Sequence, residues 1–262
     1  FNSGTILGDV DLGHHSNLLE NTGLIAGGIL TGTTGPNTLR NLGGTIGGDI
    51  ALGSIANYLH TLVNSGSIGG AVALSESGSL DVENTGEIQG GLVLGGQDDE
   101  VRNEGTILGG INLGAGNDKV HNSGLISGGI RADATGIKTV TNQGGTIEGD
   151  LRFTSTFGAY VHNSGEINGT VSANSGALGL SNDGVLNGSV SASGGSVNTL
   201  NLRNTGLIVG GVDGSNGYSS VYNSGTVLNG IAFNGSSNIV ANSGDVYGGV
   251  FGTNTTVLLS NS

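Results

Sequence analysis

The stretch NEGTILGGINLGAGNDKVH, residues 103–121, decides the fold, because stretches of the same pattern precede and follow it along the whole chain. An Asn-x-Gly opens a repeat at thirteen positions in the 262 residues, at intervals of 19 to 23 residues. A constant period near twenty residues is typical of a solenoid, in which each repeat packs on its neighbours. The asparagines that open the repeats are Asn2, Asn21, Asn41, Asn64, Asn84, Asn103, Asn122, Asn142, Asn163, Asn182, Asn204, Asn223 and Asn242.

Aliphatic residues stand at fixed distances from each of these asparagines. Around Asn103 they are Val101, Ile107 and Ile111, and all three offsets are even. Alternation with a period of two indicates strands with one buried face, whereas nothing in the chain has helical spacing. Because the repeats are related by translation, we predict an all-β fold, a single-stranded parallel β-helix (β-solenoid) of about 13 coils of about 20 residues.

The Asn has the same parity as the buried aliphatic positions, so its side chain is predicted to point inward. There it would form a ladder of amides that satisfies backbone groups which water cannot reach. The Gly two residues later is predicted to adopt a positive φ, and the Gly six residues after the Asn to occupy a bend without room for a Cβ. These residues are interpreted as architecture.

Composition limits the possible partners. The chain has 7 basic and 20 acidic residues and a net charge of −13, which repels nucleic acid and anionic membrane surfaces. It has no cysteine for disulfides or thiolate metal sites, and no apolar run near the ~20 residues that span a bilayer. We therefore expect no nucleic-acid partner and no membrane insertion of this segment.

The two ends interrupt the repeat pattern. The chain begins at Phe1 inside one repeat, contains no Met, and stops at Ser262 inside another. We therefore expect residues 1–262 to form one continuous, uncapped β-solenoid, a fragment or processed subunit of a longer repeat protein.

The repeats, exemplified by Asn103–Asp118, resemble those of bacterial autotransporter passenger domains and related secreted adhesins. The resemblance covers the whole chain. It implies a right-handed parallel β-helix, secreted or on the bacterial cell surface, that acts in adhesion, aggregation or biofilm formation without a cofactor. The right-handedness follows from this resemblance alone.

The densest acidic stretch is Asp98-Asp99-Glu100, and one coil later stand Asp118 and Lys119. The favoured interpretation is a solvated corner with an ion pair between neighbouring strands. A second hypothesis makes Asp99 and Asp118 calcium ligands, because residues 114–120 partly match the calcium-binding nonapeptide repeat. A third treats the acidic cluster as the site of a polysaccharide-degrading enzyme.

No catalytic set is evident elsewhere. The five histidines do not converge, since His121 and His162 lie two coils apart, about 10 Å by strand spacing. No nucleophile, base and acid share compatible offsets. We therefore expect neither a catalytic residue nor a cofactor.

Outward positions provide two further expectations. Opposite charges on neighbouring coils, Glu20 with Arg40 and Glu83 with Arg102, should favour the correct register. A flat, rather apolar strip should run through successive coils, as a lateral contact or as an ordinary tolerant surface. Its members are Leu30, Ala51, Ala73 and Val93.

The sequence therefore favours a non-enzymatic extracellular β-solenoid, an elongated cell-surface adhesin or stalk. Its partner would be a host or neighbouring-cell surface, a glycan or the matrix, bound through many weak contacts. The alternative is a structural subunit that associates with its copies, end to end or laterally, into an extracellular filament. A polysaccharide-degrading enzyme ranks below both.

Overall fold

The computed structural model describes residues 1–55, 57–75, 77–154, 157–193, 199–215, 217–235 and 237–262. Regular structure in these residues is entirely β, with no helix. The strands of one repeat pair in parallel with the equivalent strands of the next repeat. The prediction of an all-β parallel solenoid is confirmed.

Three kinds of strand follow one another in each repeat, and each kind pairs only with its own kind. Sheet 1 holds the two-residue strand after each Asn, and sheet 2 holds the next strand, of two to four residues. Sheet 3 holds a strand of four to six residues that ends at the following Asn.

The chain divides into two compact units, Phe1–Ile130 and Arg131–Ser262. In the first unit, the strands of sheet 1 are Thr5–Ile6, Leu24–Ile25, Thr45–Ile46, Ser67–Ile68, Glu87–Ile88, Thr106–Ile107 and Leu125–Ile126. Those of sheet 2 are Val10–Asp11, Ile29–Leu30, Ile50–Leu52, Val72–Leu74, Leu92–Val93 and Ile111–Asn112. Those of sheet 3 are Asn17–Asn21, Asn37–Asn41, Leu59–Asn64, Ser79–Asn84, Glu100–Asn103 and Asp118–Asn122.

The second unit repeats the arrangement. The strand Ile130–Ala132 is of the sheet 2 kind and includes the last residue of the first unit and the first two residues of the second. The strands of sheet 1 are Thr146–Ile147, Glu166–Ile167, Val185–Leu186, Leu207–Ile208, Thr226–Val227 and Asp245–Val246. Those of sheet 2 are Leu151–Phe153, Val171–Ala173, Val190–Ala192, Val212–Ser215, Ile231–Asn234 and Val250–Thr253. Those of sheet 3 are Ile137–Asn142, Gly158–Asn163, Leu178–Asn182, Leu200–Asn204, Ser219–Asn223, Ser237–Asn242 and Thr256–Asn261.

The core of each unit consists of the aliphatic columns that the sequence indicates. In the first unit Val101, Ile107 and Ile111 come from sheets 3, 1 and 2 of one repeat, and all are at most 2% exposed. Each buried side chain of this kind contributes about 1.5–3 kcal/mol, against the conformational entropy of ordering its repeat. Repeats are therefore stable only when stacked.

A residue inserted beside the Asn is absorbed without loss of register. Gly43 adopts a φ of 75°, and Ile46 still pairs with Ile25 and Ile68. The Asn41 amide donates to the carbonyl of Gly44 at 2.9 Å, one residue further than in a repeat without the insertion. The insertion thus leaves the buried columns continuous.

The expectation of a positive φ at the Gly two residues after each Asn is wrong for most repeats. Among these glycines only Gly43 and Gly144, both at insertions, have a positive φ. All the others except Gly4 are required by the stacking, because a Cβ on Gly105, for example, would collide with the carbonyl oxygen of Gly86 one repeat earlier. The Gly six residues after the Asn does lack room for a Cβ at Gly90 and Gly109, as predicted.

In the part of the chain that the structure describes, no helix has the length and apolarity needed to cross a membrane.

Candidate binding face

The repeated asparagines form an internal ladder in each unit. Asn84 donates its side-chain N–H to Asn103 Oδ1 at 2.7 Å, and Asn103 donates to Asn122 Oδ1 at 2.8 Å. Asn103 also donates to the carbonyls of Gly105 and Leu125, both in or beside the corner. These amides are almost completely buried and are used for stacking, so they cannot contact a ligand.

The acidic residues singled out as calcium candidates are buried, with Asp99 2% and Asp118 0% exposed. The interpretation of this stretch as a solvated corner is therefore wrong for both. Asp99 Oδ1 accepts the backbone N–H of Leu80 at 2.6 Å, and Asp118 Oδ1 accepts that of Asp99 at 3.0 Å. Each carboxylate thus satisfies a backbone group of the preceding repeat. Among the described residues, no group of three or more His, Cys, Asp or Glu side chains could hold a metal ion.

Sequence reasoning missed that Asp99 and Asp118 belong to a buried column four residues before each ladder Asn. Earlier members of this column in the first unit are Asn37 and His60, which are 1% and 0% exposed. The signal was available, because an offset of four is even and shares the parity of the other buried positions. In the second unit Lys138, at the same offset, is also 0% exposed.

His60 has an unusual environment in this column. Its Nδ1 accepts the backbone N–H of Asn37 at 3.3 Å and lies 3.3 Å from the Asn37 side-chain nitrogen. Acceptance at Nδ1 places the proton of the neutral ring on Nε2, which is buried and has no hydrogen-bond partner among the described residues. Burial lowers the pKa of His60 below its usual value.

Of the two ion pairs expected from outward charges on neighbouring repeats, the described part of the structure contains one. Arg40 and Glu20 form the expected ion pair between neighbouring repeats, at 3.6 Å. Arg102 lies beside Glu83 in register but makes its ion pair with Glu100 of its own strand. Glu100 and Lys119 are register partners, as the predicted ion pair between neighbouring strands requires, but among the described residues Glu100 pairs with Arg102 and lies 3.7 Å from His121 Nε2 instead.

Asp81 is the register partner of Glu100 on the neighbouring strand. Burial and the nearby carboxylate of Glu100 raise the pKa of Asp81.

The apolar strip of the first unit lies on sheet 2 as the offsets indicate. Leu30, Ala51, Ala73 and Val93 are successive register partners, and the next partner is the polar Asn112. Leu30 and Val93 are 49% and 44% exposed. The strip is thus short, and its role as a lateral contact stays a prediction.

The outer face of sheet 3 in the second unit carries a different set of side chains. Tyr160 is 56% and Tyr222 48% exposed, and between their strands lie the exposed Asn201 and Arg203. Tyr160 is the register partner of Gly179, and its ring lies over that glycine, since a Cβ there would be 2.9 Å from Tyr160 Cδ1. Arg203 lies between Ser181 and Tyr222 in register.

We call this surface the tyrosine–arginine face and define it as Tyr160, Gly179, Ser181, Asn201, Arg203 and Tyr222. Two shallow hollows meet on it, and both are lined by Asn201 and Arg203. Tyr160, His162, Gly179 and Ser181 line one hollow, and Tyr222, Ser224 and Ala241 line the other. The offsets from the ladder Asn do not reveal this face, because its residues occupy two different columns, one and three residues before that Asn.

Arg203 carries a positive charge on this face. The carboxylate of the nearby Asp183 lies 3.7 Å from His162 Nδ1 and accepts the Thr205 hydroxyl at 2.5 Å. Within the described residues Arg203 forms no ion pair, whereas Arg131 pairs with Asp133 at 2.7 Å. The face therefore offers a guanidinium, an amide and two aromatic rings to a ligand.

Comparison of the chain with protein-family models, with curated proteins and with solved structures found no match. Its function is therefore inferred from the chemistry of the residues on its surface.

Proposed function

We propose that this chain is a non-enzymatic extracellular β-solenoid that acts as a cell-surface adhesin or stalk. The observation that supports it best is the tyrosine–arginine face, where Tyr160, Arg203 and Tyr222 are exposed and none of them is needed for stacking. Exposed tyrosines offer an apolar ring and a hydroxyl to a ligand at little cost in conformational entropy. Such a face suits recognition of a surface.

The buried acids support a role without catalysis. A general acid or base must reach the substrate, but Asp99 and Asp118 are buried and each accepts a backbone N–H. The hollows on the tyrosine–arginine face are shallow and exposed, so they do not exclude water as active sites commonly do. Repeated weak contacts along such a face provide avidity without a deep pocket.

Binding of the fluorescently labelled chain to cultured cells and to a glycan array tests the proposal. We expect saturable binding that survives extensive washing when the chain is presented multivalently, and no release of reducing or unsaturated sugars from any glycan. Absence of binding to every cell type and glycan would contradict an adhesin. Sugar release that is lost in Asp99→Ala or Asp118→Ala would favour the enzyme instead.

The filament alternative makes a different prediction for the same preparation. Electron microscopy at rising protein concentration would then show filaments with a repeat of about 4.8 Å along their axis. For the adhesin we expect separate particles over the same range of concentration.

A further inference from the structure

We propose that the tyrosine–arginine face binds a glycan chain in which an isolated carboxylate is flanked by neutral sugars. This inference rests on the proposed adhesive function and adds the site and the class of ligand. The juxtaposition that supports it is an exposed Arg203, without an ion pair in the described part of the chain, between two exposed tyrosine rings and with a hollow on either side.

The rings and the guanidinium are spaced for an extended ligand. Arg203 lies two strands from Tyr160, which is about 10 Å across the sheet. Tyr222 lies three strands from Tyr160, which is about 14 Å. The two tyrosines also stand in different columns, two residues apart along the strand. A ligand that contacts both rings therefore crosses the sheet diagonally and passes over Arg203.

The chemistry of each group indicates a sugar chain. Tyrosine rings pack against the apolar face of a sugar ring, while Asn201 and Ser181 can exchange hydrogen bonds with sugar hydroxyls. The fork of Arg203 matches a carboxylate, with which it can form two parallel hydrogen bonds. The Tyr160 ring lies over Gly179, which has no Cβ to hold the ring away from the sheet, and Tyr160 remains 56% exposed for contact with a sugar ring.

Charge complementarity limits the ligand to sparse carboxylates. The chain carries a net charge of −13, so a densely charged polymer is repelled by the rest of the molecule. Arg203 supplies one cation to this face, and His162, which lines the same hollow, lies 3.7 Å from the Asp183 carboxylate. One carboxylate among neutral sugars fits this face, whereas a continuous polyanion does not.

A series of dextrans with one backbone and different charges tests the proposal. The probes are unsubstituted dextran, dextran with a low degree of carboxymethyl substitution, and densely substituted dextran sulfate, each measured by biolayer interferometry. We expect the sparsely carboxymethylated dextran to bind most tightly. Arg203→Gln should weaken the binding of this dextran about 5- to 10-fold, to the affinity measured for plain dextran. Arg203→Lys keeps the charge but not the fork and should be intermediate.

The tyrosines are tested against an exposed tyrosine outside the face. Tyr160→Ala and Tyr222→Ala should each weaken the binding of carboxymethyl dextran and of plain dextran to the same extent, about fivefold or more. Tyr247→Ala, at a residue 57% exposed, should leave binding unchanged. Arg40→Gln is the control for Arg203, because Arg40 is also on sheet 3 but is paired with Glu20. Melting temperatures of all variants establish that they are folded.

The outcomes separate this inference from the proposed function. Equal affinity for plain and carboxymethylated dextran, tightest binding of dextran sulfate, or unchanged binding by Arg203→Gln would overturn the inference. If Arg203→Gln, Tyr160→Ala and Tyr222→Ala still bind cells as wild type does, the chain remains an adhesin, but the tyrosine–arginine face is not its binding site. If wild type binds neither cells nor dextrans, both proposals fail.

Discussion

Single amide side chains stabilise the stacking of the repeats, and Asn103 shows how much depends on one of them. Replacing it with Ala removes the acceptor of Asn84 and the donor to Asn122, and leaves the carbonyls of Gly105 and Leu125 without that donor. We expect Asn103→Ala to lower the free energy of unfolding by roughly 2–5 kcal/mol, since buried polar groups lose their partners. Chemical denaturation measures this difference.

The control for Asn103 is the exposed Asn117 in the same unit. Its side chain lies near the Asp98 carboxylate at the surface, where water can replace a lost hydrogen bond. Asn117→Ala should change the free energy of unfolding by less than about 0.5 kcal/mol. Equal effects of the two substitutions would mean that the ladder is not a principal source of stability.

His60 makes stability depend on pH. Because burial lowers its native pKa, the unfolded chain binds a proton near pH 6.5 while the native chain does not. The contribution of His60 to stability is therefore greatest above pH 6.5 and falls below it, by at most about 1.4 kcal/mol per pH unit. In His60→Asn, which should extend the amide stacking of Asn37, the decline between pH 6.5 and pH 5 should be shallower. Parallel pH profiles would contradict this assignment.

The parity of the offsets predicted which residues are inside, but not how each buried group is satisfied. The ladder of Asn103 and the columns of Ile107 were predictable, because the same residue type recurs at a fixed position. The column of Asn37, His60 and Asp99 was missed, because its members change from repeat to repeat and no single residue type marks it. Their partners are backbone groups one repeat away, and a sequence pattern does not specify these.

At the scale of the element, the corners are determined by contact between successive repeats more than by backbone torsion. A Cβ on Gly105 would overlap the carbonyl oxygen of Gly86, which belongs to a rigid, hydrogen-bonded corner. We expect Gly105→Ala to cost about 2–4 kcal/mol of folding free energy, because the repeats must move apart locally. Thermal and chemical denaturation would both report the loss.

A corner glycine with free space provides the comparison. Gly43 has a φ of 75°, and a Cβ added there would have no other atom within 4 Å. Gly43→Asn should cost less than about 1 kcal/mol, because Asn adopts left-handed torsions more readily than other residues. A larger loss for Gly43→Asn than for Gly105→Ala would show that torsion dominates after all.

The outer surfaces of the strands were predictable in part. The alternation along sheet 3 indicates that Arg203 and Tyr222 face outward, and their one-repeat separation predicts that they are neighbours. That Tyr160 and Arg203 border one hollow depends on the course of the backbone across four strands and on the ring's position over Gly179. These features arise from packing, which periodicity does not describe.

At the scale of the whole molecule, folding is expected to be independent of metal ions. Asp99 and Asp118 already accept backbone N–H groups, and hydrophobic columns provide most of the stabilisation. Adding EDTA should therefore shift the melting temperature by less than about 1 °C, whereas removing a metal that binds only the folded state would lower it by several degrees. A large shift that calcium, but not magnesium, reverses would revive the calcium hypothesis.

The charge imbalance of the chain should make its stability increase with salt. With 20 acidic and 7 basic residues, repulsion between carboxylates opposes the folded state, and its exposed ion pairs, such as Glu20 with Arg40, contribute little. Raising sodium chloride from about 10 to about 300 mM shortens the screening length from about 30 Å to under about 10 Å, so the melting temperature at about pH 7.5 should rise by a few degrees. Near pH 4.4, where the net charge vanishes, the same addition should have a much smaller effect. A melting temperature that falls with salt at neutral pH would mean that attractive pairs outweigh the net repulsion.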